Sequence, residues 1–201
     1  MQHHDTPNEQ PGKAESRKES VLLYLHDFVT WLVVILLVFL LLFRVVVVSG
    51  PSMNRTLFDG DYLLLINNVF YTEPEHGDIV VISKASFKGG EPIIKRVIAT
   101  EGQWVDIDFD TGTVYVDGEA LAEPYINNLT QNNLGTAFPL TVDKGCIFVL
   151  GDNRAVSRDS RDPVIGQVDK REVLGKALYL FLPGTDKDRG PREFDRMGAI
   201  E

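Results

Sequence analysis

The sequence predicts a mainly β protein, with an N-terminal transmembrane helix followed by a β-rich domain. Three observations carry that expectation. FVTWLVVILLVFLLLF, Phe28 to Phe43, holds no charged residue. A series of short β-branched or aromatic runs follows, punctuated by Gly, Pro, Asn or Asp. One stretch, WVDIDFDTGTVYVDG, alternates apolar and acidic positions across a turn holding Gly112, as a hairpin does.

Residues 1–20 are polar, include Pro7, Pro11 and Gly12, and are expected to be a loose tail. Residues 21–43 are the expected transmembrane helix. The apolar stretch reaches back to Val21, interrupted only by His26 and Asp27. About 20 helical residues cross a hydrocarbon core of roughly 30 Å. The stretch is apolar on all faces, which sets it apart from a surface helix. No Ala-x-Ala follows, as a cleaved signal peptide would require. Arg44 is placed to snorkel at the far interface. Lys13, Arg17 and Lys18 favour a cytoplasmic N-terminus, a bias that Arg44 and Arg55 weaken.

Residues 44–183 form the expected β-rich domain. Its strands are read at 61–67, 78–83, 92–100, 104–110, 113–118, 146–152 and 175–182. The segment 119–141, rich in Asn, Pro and Thr, reads as a long loop or small subdomain. Residues 184–201 read as a polar, loose C-terminal tail.

Composition narrows the function. The chain has 201 residues and a net charge of −9, so a nucleic-acid partner is excluded by repulsion from phosphate. The single cysteine, Cys146, allows neither an internal disulfide nor a multi-cysteine zinc site, and its apolar setting reads as a core thiol. Of His3, His4, His26 and His76, only the first two are adjacent, in the polar tail.

SGPSMNRTL, Ser49 to Leu57, puts a hydroxyl, Ser52, just beyond the membrane run. A serine nucleophile needs a base. His76 lies in a turn-like polar stretch and His26 within the helix, which leaves lysine. Lys95, in PIIKRVI, shares one strand face with Ile93 and Val97, while Ile94, Arg96 and Ile98 share the other. Burial there disfavours the ammonium. An unperturbed lysine is neutral in only about 0.04% of molecules at pH 7, and a drop of about three pKa units, costing roughly 4 kcal/mol, raises that several-hundred-fold. Taken alone, Lys95 also reads as a strand lysine snorkelling to solvent. GDNRAVSRDSR, Gly151 to Arg161, is a dense polar cluster after an apolar strand; it reads either as a solvated loop of paired charges or as a scaffold that aims a lysine.

Together and in this order, SGPSMNRTL, IIKRVIATEG and GDNRAVSRDSR behind one membrane helix resemble the bacterial type I signal peptidases, membrane-bound Ser–Lys proteases. The resemblance covers about Val45 to Pro183, and GDIVVI and LGKALYLFLPG also sit where that family has similar strands. It implies a signal-peptidase-type catalytic domain over 44–183, with Ser52 as nucleophile and Lys95 as general base. It implies that Ser157 hydrogen-bonds the lysine amine, that Asp159 and Arg161 form a bracing pair, and that the Ser52 N–H donates to the oxyanion. Val48, Met53, Leu57, Val81 and Ile94 would line shallow pockets for small side chains at positions −1 and −3. No metal or nucleotide cofactor is implied.

The implied partners are secretory preproteins and the lipid bilayer, near the secretion translocon. The implied location is the bacterial cell membrane, single-pass, with the catalytic domain outside. Eight extended residues from Arg44 to Ser52 span at most about 28 Å, which keeps the nucleophile near the bilayer face.

The sequence departs from the family pattern at Arg55, usually proline, and at Ala99, Glu101 and Gln103. Gly50 stands where some members carry a serine that adds a hydroxyl to the anion hole. Two other readings stay open: a specialised Ser–Lys processing peptidase of the same fold, and a non-catalytic membrane-tethered β domain that binds peptides.

Overall fold

The computed structural model describes residues 13–185 and 191–200, with side chains from Ser20 onward. The expectations for residues 1–12, His3 and His4 among them, lie outside the described residues, as does part of the C-terminal tail. The chain divides into two units at Leu41/Leu42.

The first unit carries helix α1, Lys13–Leu42, up to Leu41. It starts eight residues before Val21, so the polar stretch 13–20 is helical rather than loose. KAESRKES has no Pro or Gly to stop a helix, and its Ala, Glu, Lys and Arg are good helix formers. Within it, Ser20–Leu42 is long and apolar enough to cross a membrane by length and composition, and none of it is buried. Bare Leu, Val, Ile and Phe over 23 residues call for an apolar solvent.

In the second unit the β-branched runs become strands: β1 Phe43–Val47, β2 Tyr62–Asn67, β3 Ile79–Ile82, β4 Ile93–Thr100, β5 Trp104–Asp108, β6 Thr113–Val116, β7 Glu119–Ala120, β8 Leu140–Thr141, β9 Cys146–Leu150, β10 Val168–Asp169, β11 Val173–Leu182 and β12 Gly198–Ala199. An eight-stranded sheet runs β1-β2-β11-β3-β4-β9-β10, and β12 also joins β11. β3 takes the first part of one β11 edge, Val173 to Lys176, and β12 takes Tyr179 and Leu180. β5 to β8 make a second, four-stranded sheet in the order β7-β6-β5-β8. Every pairing within both sheets is antiparallel.

The expected hairpin is β5–β6, with Val105, Ile107, Val114 and Val116 turned inward as the alternation requires. These pack on Ile98 and Ala99 of β4 and on Phe148 and Leu150 of β9. β4 therefore lies between two cores and is buried from Ile94 to Ala99. That placement takes Lys95 and Arg96 out of water together. The long segment between β7 and β8 remains irregular. Its Asn128 bridges to Asn153, and its Glu123 reaches Arg154.

Candidate active site

Ser52 sits in the turn between β1 and β2. Gly50 opens it at φ +85°, with open space where a Cβ would be, so conformation and not crowding asks for glycine there. The turn is closed by its own backbone, with Asn54 N–H donating to the Pro51 carbonyl at 3.1 Å and Leu57 N–H to the Met53 carbonyl at 2.9 Å. Gly50 N–H donates to Asp59 Oδ1 at 2.7 Å. Met53 and Leu57 sink into an apolar cluster with Val48, Val81 and Ile94. Asn153 fastens the turn from across the cleft: its N–H donates to the Ser52 carbonyl at 3.0 Å, and its side-chain amide to the Pro51 carbonyl at 3.1 Å. Among the described residues, no acceptor takes the Ser52 N–H.

Lys95 is only 2% exposed. Its Nζ donates to Ser52 Oγ at 2.9 Å and to the Ile94 carbonyl at 2.8 Å. Both partners are uncharged, so neither compensates the buried ammonium. Burial pushes the amine down from 10.5 to about 8; the Asp159 and Asp152 carboxylates oppose the shift and Arg161 and Lys88 add to it. Two side chains 43 residues apart thus form a hydrogen-bonded hydroxyl–amine pair.

The segment after β9 builds the wall behind them. Gly151 has no room for a side chain: a Cβ would lie 2.2 Å from Ser157 Oγ and 2.6 Å from the Ser52 carbonyl oxygen. Asp159 Oδ2 accepts the Gly151 N–H at 3.0 Å. Arg161 grips Asp159 through Nε and Nη2, both at 2.9 Å, with both side chains fully buried. The Arg161 guanidinium also donates to the carbonyls of Asn132, Arg154 and Ser157. A bidentate pair in which every guanidinium nitrogen also finds an acceptor is the arrangement that tolerates burial. Ser157 is buried too, but its Oγ has no partner among the described residues. It makes no hydrogen bond to Lys95, whose second bond goes to the Ile94 carbonyl instead.

A second buried pair, absent from the sequence reading, stands on the other face of β4. Arg96 donates from Nε and Nη2 to Asp152 at 2.9 Å each and from Nη1 to the Gly77 carbonyl at 2.8 Å, with its guanidinium 4.0 Å from the Tyr125 ring centroid. Thr56 Oγ1 donates to the same Asp152 carboxylate at 2.5 Å. Arg154 reaches out to Glu123 and Thr130 and back to the Gly151 carbonyl. The signal available in sequence was the Lys95-Arg96 doublet in an apolar strand: alternation turns one cation to each face, and each then needs its own answer.

Beside Ser52 runs a groove of about 80 Å³, lined by Val46, Val47, Val48, Ser49, Met53, Val81, Pro92, Ile93 and Ile94. Of the expected pocket residues, Val48, Met53, Val81 and Ile94 line it. Leu57 lies in the apolar cluster with them, 1% exposed, but not on the groove wall. Arg55 is exposed. Among the described residues, no group of three or more His, Cys, Asp or Glu is placed to hold a metal ion.

The family model and the sequence relatives point to one family. The model described as signal peptidase, peptidase S26, matches residues 21–182. A signal peptidase I of Bacillus licheniformis is 34% identical over 182 residues, covering 85% of this chain and 94% of its own length. A signal peptidase I of Bacillus amyloliquefaciens is 37% identical over 153 residues, covering 72% of this chain and 77% of its own. A signal peptidase I of Enterococcus faecalis V583, known from its crystal structure, is 32% identical, covers 52% of this chain and 96% of its own, and has a TM-score of 0.42.

Proposed function

The chain belongs to the bacterial type I signal peptidases of family S26, serine endopeptidases that remove signal peptides from preproteins, and we propose that Ser52 is its nucleophile and Lys95 its general base. The observation that carries this reading is the 2.9 Å contact between Ser52 Oγ and an amine 2% exposed to water. A neutral amine offers a lone pair along that line, and the Ser52 hydroxyl gives up its proton as its oxygen attacks the substrate carbonyl. The oxyanion is met by the Ser52 N–H, for which no acceptor competes among the described residues. The C–N bond then breaks, Lys95 hands its proton to the departing amine, and an acyl-enzyme remains. Water attacks that ester with Lys95 again taking the proton.

The groove favours an extended peptide with small side chains at −1 and −3. Its walls come from the end of β1 and the start of β4, so a bound strand lies between two stretches of extended backbone. Asn153 and the Asp159–Arg161 pair hold the nucleophile turn and the Gly151 backbone. Ser157 places a hydroxyl beside them. The helix Ser20–Leu42 supports a single-pass anchor. The basic residues before it favour a cytoplasmic N-terminus, with the catalytic domain, residues 44–183, outside against the bilayer and near the translocon that delivers preproteins.

The test is cleavage of a preprotein in detergent, with the cut mapped by mass. Ser52→Ala and Lys95→Ala are expected to abolish cleavage while keeping the native fold by circular dichroism. Cleavage at a near-native rate by either variant removes the dyad.

A further inference from the structure

We propose that Arg196 is a positioning residue for the nucleophile, holding the Ser52 loop from behind through Asp61; the idea rests on Ser52 being the nucleophile. In sequence, the stretch around Arg196 is part of a polar tail. In the structure it is tied down. Phe194–Arg196 form a short 3-10 turn, Gly198–Ala199 pair with Tyr179 and Leu180 of β11, and Ile200 packs on the apolar cluster that holds Met53 and Leu57.

The Arg196 guanidinium donates to Asp61 Oδ1 at 3.1 Å and Oδ2 at 2.6 Å, and makes a longer bond to the Thr56 carbonyl at 3.4 Å. It lies 4.4 Å from the Phe58 ring centroid. Asp61 is fully buried and also accepts the N–H groups of Phe58 and Gly184, each at 2.8 Å. Burial alone would raise its carboxyl; the Arg196, Gly184 and Phe58 hydrogen bonds outweigh that and hold it below the usual carboxylate range. Gly184 presses on the same loop, where a Cβ would lie 2.4 Å from the Asp59 carbonyl oxygen.

The points of attachment bracket the nucleophile. The Asp61 carbonyl accepts the Val48 N–H at 2.8 Å, four residues before Ser52. Thr56, whose carbonyl Arg196 touches, lies four residues after it. Thr56 Oγ1 in turn reaches Asp152, the partner of Arg96. Asn153 holds the turn from the cleft side and Arg196 from the opposite end of the loop. Without the guanidinium, the buried carboxylate keeps only backbone donors among the described residues, and the loop must shift to rehydrate it. A displacement of about 1 Å at a reacting group costs up to about 100-fold in rate.

The experiment compares Arg196→Gln, Arg196→Lys and Arg196→Ala with native protein and Ser52→Ala, measuring kcat and KM on a preprotein and the thermal midpoint. Arg196→Gln is expected to lower kcat by about 10- to 100-fold with KM within about twofold, and Arg196→Lys to lower it less. Millimolar guanidinium is expected to restore part of kcat in Arg196→Ala and none in Arg196→Ala combined with Asp61→Asn. Met197→Ala, altering an exposed neighbour, is expected to keep native rates. Native kcat in Arg196→Gln, a loss matched by the unfolded fraction, or no recovery with guanidinium overturns the proposal. If Ser52→Ala is inactive while Arg196→Gln is native, only the positioning role falls. If Ser52→Ala cleaves normally, the nucleophile assignment itself fails.

Discussion

The Lys95 amine should write itself into the pH dependence of both rate and stability. With Lys95 as the proposed base, only its neutral form accepts the Ser52 proton, so kcat/KM is expected to follow the deprotonated fraction in the free enzyme. With burial holding the amine at about 8, that fraction is about a tenth at pH 7, half at pH 8 and nine-tenths at pH 9. The expected profile rises about tenfold from pH 7 to pH 9 and flattens. A solvated lysine near 10.5 would instead give about a hundredfold rise over that interval with no plateau.

The stability arm has a fixed sign. The folded pKa lies below the unfolded one, so the unfolded chain binds the extra proton and native stability increases with pH between about 8 and 10.5. Below pH 8 the full cost, about 3 kcal/mol, is present. Lys95→Met, of similar volume and uncharged, is expected to be more stable than native at pH 7 by up to about that amount, with the gain gone above pH 10.5. Preprotein cleavage from pH 6 to 10 and denaturant unfolding at pH 7 and pH 10 measure the two arms. A rate still climbing tenfold per pH unit at pH 10, or a Lys95→Met variant no more stable at pH 7, would refute the dry, neutral amine.

Gly151→Ala forces a Cβ between Ser157 Oγ and the Ser52 carbonyl, so preprotein cleavage should fall by about 100-fold and unfolding measurements should show a loss of roughly 1–3 kcal/mol. Ser157→Ala removes a hydroxyl that has no partner among the described residues, so the thermal midpoint should hold; the rate should fall by less than in Lys95→Ala, and an unchanged rate would leave Ser157 without a part in the reaction.

The strands were legible because β-branched runs between Gly, Pro and Asn declare themselves locally. That Ser52 and Lys95 come together was legible from three separated motifs read as a set. Asn153 on Pro51, Asp152 on Arg96 and Arg196 on Asp61 were not. Each joins loops or strands far apart in sequence, and no local periodicity records such a pairing. The same limit hid the crowding at Gly151, whose neighbours are Ser157 of its own segment and the distant Ser52 turn. The early start of α1 does not show in the polarity of residues 13–20, which lie beyond Pro7, Pro11 and Gly12; their intrinsic propensity extends the helix.

Ile94 serves two ends with two different parts of itself. Its side chain faces the groove, while its main-chain oxygen anchors the lysine. Every amino acid brings the same main-chain oxygen. On the proposed reading of the groove, inherited changes at this position would retune which leader sequences are accepted without dismantling the chemistry next door, so diversification of substrate choice and preservation of turnover need not compete at this codon.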